Sequence, residues 1–150
     1  MPEIDKLHEI FAAQSELNDG IFKKQDIRGP DGKVLTMAAI REALERGELG
    51  PNGLPNQWLR NYLRALQAES AELEDELLWK WWSKDKIDLQ NIRVEIVDLM
   101  HFLTSLALAA GMTADDFHRI YAAKREVNKQ RQENGYSKAT KDEKDNKGIV

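Results

Sequence analysis

From Asn91 to Ala110 the chain reads NIRVEIVDLMHFLTSLALAA, and its apolar residues fall on more than one side of a 3.6-residue helical turn. A helix apolar nearly all round must be covered on several sides, so this segment has to lie at the centre of a helical assembly. Gly111 is a natural stop after it. No strand-like alternation of useful length occurs elsewhere, and no internal repeat is visible. The expected class is all-α, a bundle of about four to five core helices.

The other helices follow from the same periodicity. Ile4, Leu7, His8, Phe11 and Leu17 mark a helix over 4–18, which Asn18-Asp19-Gly20 is expected to end or bend. Leu59, Leu63, Leu66, Leu73 and Leu77 form a stripe on a long helix over 57–82, followed by a polar loop from Ser83 to about Leu89. Thr113 with Asp116 spells a capping box for a helix running to about Glu133, with Asn134-Gly135 as its end. Segment 28–56 is bracketed by Gly-Pro turns around a short helix from Met37 to Arg46, and reads as an insertion packed on the body. The lysine-rich stretch 137–150 reads as a flexible polar tail. The expected organisation is one domain over 1–136 followed by that tail.

Composition removes several function classes. With no cysteine, any metal must be held by oxygen or histidine, and three scattered histidines do not suggest zinc. A formal charge of −4 argues against broad binding to a nucleic acid polymer. The N-terminus is charged and amphipathic, unlike a signal peptide. No apolar run is long enough to cross a bilayer, so no membrane partner is expected and a cytoplasmic location is.

The chemistry lies in a repeated spacing. Glu69 and Glu72 stand three apart on one long helix, and Glu95 and Asp98 three apart on the next. Such pairs share a helix face, and consecutive helices joined by a short loop pack antiparallel, so four carboxylates can meet. One pair alone is usually a solvated face. Here the second pair is set among Ile92, Val94, Ile96, Val97, Leu99 and Met100, where clustered anions are costly. A hard divalent cation removes that cost, and Mg²⁺, for which Mn²⁺ can substitute, matches the donors.

Weaker patterns accompany it. Lys124, Asn128 and Arg131 lie on one face of the last helix with Tyr136 just beyond, a set that can grip phosphate or be a solvated stripe. Three of the four tryptophans, Trp79, Trp81 and Trp82, crowd the end of the first acidic helix around Lys80. One of them can stack on a base, or all can serve as packing anchors. His101 can orient a ligand carboxylate or sit as a hydrogen-bonded core residue. Gln14 and Asn18 are four apart and share a face.

Taken together these segments resemble the all-α dimeric dUTPases of the MazG-like nucleotide pyrophosphohydrolase superfamily. Its mark, E-x-x-E then E-x-x-D, is Glu69-Ser70-Ala71-Glu72 then Glu95-Ile96-Val97-Asp98 here. AESAELEDELLWKWW and NIRVEIVDLMHF look like its metal helices, QSELND like its pyrimidine-recognition segment, and KREVNKQRQENGY like its phosphate segment. The resemblance covers 7–22 and 57–136; segment 28–56 departs from the pattern. It implies that Glu69, Glu72, Glu95 and Asp98 hold Mg²⁺, and that Gln14 and Asn18 read the base. It also implies that Lys124, Asn128, Arg131 and Tyr136 contact sugar or phosphates, that Lys80, Trp81 and Trp82 border the substrate, and that the protein is a homodimer.

The implied reaction is dUTP to dUMP and pyrophosphate. Side-chain amides offer both donor and acceptor, as uracil's edge requires, and thymine would be refused sterically by an aromatic such as Trp82 or Phe22. Two alternatives stand beside it: a pyrophosphohydrolase of dCTP or a purine dNTP, which shares the carboxylates, and a non-catalytic helical interaction module.

Overall fold

The computed structural model describes residues 5–139 and 142–150, so Ile4 and the middle of the tail lie outside the described residues. Five helices follow in order: α1 Lys6–Lys24, α2 Met37–Glu45, α3 Leu54–Glu76, α4 Leu89–Ala109 and α5 Ala114–Glu133, then a 3-10 turn at Glu143–Asn146. The only extended pairing among the described residues is an isolated bridge between Arg28 and Val34. The protein is all-α. Among the described residues no single helix is long and apolar enough to cross a membrane. The chain divides into two compact units, Met1–Gly111 and Met112–Val150.

Most helices begin on a side-chain cap that satisfies N–H groups left without intrahelical partners. The Asp5 carboxylate accepts from the Leu7 and His8 amides, Thr36 Oγ1 from Ala39 N, and Asp88 from Asn91 N. The predicted capping box of α5 is present: Asp116 N donates to Thr113 Oγ1 at 3.1 Å and Thr113 N to the Asp116 carboxylate at 2.9 Å.

In the first unit α3 and α4 form the largest helix pair, with α1 packed on α4 and α2 touching all three. The core is Phe22, Leu35, Met37, Ile40, Ala43, Leu54, Tyr62 and Ala109, backed by Trp58, Leu59, Phe102 and Leu106. Five of the eight come from segment 28–56, which is therefore part of the core and not an attachment to it.

Two helix ends differ from expectation. α1 runs through Asn18-Asp19-Gly20 to Lys24. Phe22 beyond the glycine is buried edge-on against Trp58 at 4.8 Å. Burying a phenylalanine gains about 1.5–3 kcal/mol, more than the roughly 1 kcal/mol a mid-helix glycine costs. α3 stops at Glu76, because Leu78 takes a left-handed conformation (φ 51°). Trp79, Trp81 and Trp82 therefore lie past the helix, in the connection to α4.

Candidate active site

α3 and α4 bring Glu69, Glu95 and Asp98 together, with one carboxylate oxygen of each within 4.8 Å of the others. All three are partly buried. Glu72, one turn on from Glu69, is exposed and stands outside this group, though its charge still acts on Glu69. Burial first, then repulsion from Glu72, Asp98 and Glu95, pushes the Glu69 carboxyl above its ordinary value.

Glu95 carries the most telling atom. Its Oε2 is buried without a hydrogen-bond partner, and its Oε1 receives only a long contact from Asn91 Nδ2 at 3.5 Å. An unpaired buried carboxylate oxygen is costly. A hard cation among three convergent carboxylates would supply what is missing, and an all-oxygen donor set fits Mg²⁺ or Mn²⁺ better than a soft metal.

Gln14 and Asn18 are both buried but differ in surroundings. Gln14 lines a cavity of about 240 Å³ with Ile10, Ala13, Leu17, Val97, Met100 and His101. Its Oε1 lies 2.6 Å from His101 Nδ1, and its Nε2 donates to Asn18 Oδ1 at 2.9 Å. Asn18 sits behind it. Its Nδ2 donates to Ser105 Oγ at 3.0 Å and to Met37 Sδ at 3.7 Å, and Ser105 Oγ donates to the His101 carbonyl at 2.9 Å. The neighbouring Asp19 turns the other way and accepts from Met37 N at 2.7 Å. Sequence reasoning missed Ser105; the pair Thr104-Ser105 within an apolar run was the available signal.

The tryptophans are open to solvent: Trp81 is 87% exposed, and Trp79 and Trp81 both stand edge-on to Trp82. Lys80 lies over the Trp79 ring and lines a small cavity with Asp75, Leu78, Trp79, Ser83 and Asp85.

In the second unit Lys124 and Arg131 already have partners. Lys124 Nζ donates to Asn146 Oδ1. Arg131 pairs with Asp145 at 3.2 Å and donates to the Asp142 carbonyl at 2.8 Å. Asn128 and Tyr136 are exposed.

An all-helical body carrying convergent carboxylates on two adjacent helices defines a carboxylate-site bundle. The dUTPase family model matches residues 6–113, and the chain belongs to that family. The match includes α1 to α4 and segment 28–56, and stops before α5. The chain is 28% identical over 93 residues to a dCTP pyrophosphatase of Enterobacteria phage T4, covering 62% of this chain and 48% of that protein. It is also 28% identical over 104 residues to a dCTP pyrophosphatase of Enterobacteria phage LZ5, covering 53% of this chain and 60% of that one. The chain thus spans about half the length of the curated relatives it matches. No solved structure matches it.

Proposed function

We propose that this chain is a Mg²⁺-dependent nucleoside triphosphate pyrophosphohydrolase that converts dUTP and water to dUMP and pyrophosphate. The observation that carries this reading is the Glu69, Glu95 and Asp98 group with its orphaned Glu95 oxygen, in a member of the dUTPase family. Glu69, Glu95 and Asp98 would hold the metal, with Glu72, one turn on from Glu69, as a further carboxylate. A metal held there would supply phosphate-charge neutralisation and an activated water. Arg131 and Lys124 take phosphate oxygens, Arg131 through its fork of donors. Asn128 and Tyr136 complete the sugar and phosphate contacts, while Gln14, backed by Asn18, faces the base. Lys80, Trp81 and Trp82 border the substrate.

The named relatives favour a second reading, dCTP as substrate. The carboxylates serve either nucleotide, so only the base pocket separates them. Incubation with each dNTP and dUTP in Mg²⁺, scoring dNMP and pyrophosphate, decides the matter. Preferential release of dUMP supports the first reading and preferential release of dCMP the second. No pyrophosphate from any nucleotide rejects both.

A further inference from the structure

A closed hydrogen-bond circuit runs through the buried face of α1 and α4, and its polarity can be derived. It begins at a group with no choice: the His101 backbone carbonyl can only accept. Ser105, four residues on, gives its one hydroxyl proton to that carbonyl. Ser105 Oγ must then accept, so Asn18 presents its amide nitrogen to it. Asn18 Oδ1 is thereby turned to Gln14, which must present its own nitrogen, leaving Gln14 Oε1 toward the imidazole. An oxygen at 2.6 Å from His101 Nδ1 requires that nitrogen to carry the proton. The circuit starts at the imidazole of His101 and ends at the carbonyl of the same residue. Met37 agrees with this polarity, since its sulfur accepts from both Asn18 Nδ2 and Tyr62 Oη at 3.7 Å.

We infer that His101 is a ligand-reading residue whose neutral ring is held in the Nδ1–H tautomer by Gln14, Asn18 and Ser105, so that in this form Nε2 offers a bare lone pair to the cavity His101 lines. Apart from His101 and Gln14 the cavity walls are apolar, from Ile10, Ala13, Leu17, Val97 and Met100, and suit a flat heterocycle. The group recognised is a ring or exocyclic N–H donor. Uracil supplies it from N3–H and cytosine from its amino group. Ser105 and Asn18 are positioning residues, and the assignment of the ligand to pyrimidine nucleotides rests on the proposed function.

The test reads the proton directly. Long-range ¹H–¹⁵N NMR of the whole protein should find neutral His101 as Nδ1–H, the reverse of the form free histidine favours. Ser105→Ala and Gln14→Met should each restore a mixture or the Nε2–H form, whereas Gln14→Glu, which keeps an acceptor, should preserve Nδ1–H. Two variants guard against one failing to fold. On adding dUMP or dCMP to the Mg²⁺-loaded protein, the Nε2 resonance should move with the nucleotide that binds, and the two arms identify the base. In turnover, Ser105→Ala should raise KM about tenfold and change kcat less, the loss expected for about one hydrogen bond. Nε2–H in the wild type, or a tautomer indifferent to both substitutions, overturns the inference. So does an unmoved Nε2 while other resonances shift with nucleotide, although the enzymatic reading survives that result. If neither nucleotide shifts any resonance, the ligand assignment falls with the enzymatic reading while the tautomer result stands alone.

Discussion

Arg131 holds Asp145 at 3.2 Å through a guanidinium side chain only 9% exposed, so a cation suited to phosphate is already occupied by a carboxylate of its own chain. A phosphate must displace that partner. The pair is partly solvated on the Asp145 side, and such pairs are worth about 0–1 kcal/mol. Ending the chain before Asp142 is therefore expected to lower KM for the triphosphate by about two- to fivefold. Initial-rate kinetics on the truncated protein check it; an unchanged or higher KM removes Arg131 from the phosphate contacts.

Glu95→Gln and Asp98→Asn should each reduce kcat by at least about a hundredfold, since a metal-held water is lost with its ligand. Metal-free protein should respond in the opposite sense, with an unchanged or raised Tm, because one of several mutually repelling carboxylates is gone. Activity assays with thermal melts in EDTA separate this from a folding defect, in which both quantities fall together.

Two glycines make a matched pair. A Cβ on Gly53 would sit 2.7 Å from the Glu48 carbonyl oxygen and 3.1 Å from that of Gly50, whereas one on Gly20 meets nothing within 4 Å. Gly53→Ala should destabilise by about 1–3 kcal/mol through overpacking. Gly20→Ala, inside α1, should stabilise by about 0.5–1 kcal/mol. Urea melts of both variants provide the comparison, and equal effects would contradict the packing around Gly53.

The Thr113 backbone amide foremost, then Arg119 and the Thr113 hydroxyl, hold Asp116 at a pKa of about 2, below its ordinary 3.8. A folded pKa below the unfolded one means the cap's contribution is fully present above about pH 4 and is lost as pH falls toward 2. Circular dichroism across that window should show acid loss of helix that is smaller in Asp116→Asn. Identical acid profiles would remove the cap from the account.

The first unit leaves Val94 and Ile96, beside Glu95 on α4, exposed, together with Val97, Ile10 and Leu17 at the rim of the His101 cavity. Covering such a face with a second copy is the expected outcome. Sedimentation should give a dimer at micromolar concentration, and Ile96→Asp a monomer of lower Tm. A concentration-independent wild-type monomer rejects the homodimer.

Features set by neighbours in sequence are legible in the sequence. The Thr113 and Asp116 box, the helix starting at Met37 and the long α4 follow from caps and periodicity within a few residues. The convergence of Glu69 with Glu95 and Asp98 was legible because spacing on two consecutive helices implies it. What escaped depended on partners distant in sequence. Phe22 carries α1 past Gly20 only because Trp58 is there to receive it. The role of Ser105 is set by Asn18, 87 positions away. Segment 28–56 looked peripheral because turn residues dominate its text, while its few apolar side chains fill the centre. The stop of α3 at Glu76, two residues before the left-handed Leu78, broke no compositional rule, since leucine gives no stop signal.

Ala109, fully buried at the far end of α4, joins the same cluster as Leu35, Ile40 and Ala43. During vectorial synthesis, everything made before it therefore lacks its closing wall. α2 and α3 emerge from the ribosome with their apolar sides unmatched, and the first unit cannot close until the end of α4 has cleared the exit tunnel. Nascent chains halted before that point are expected to be clients of chaperones and proteases, not partly working bundles.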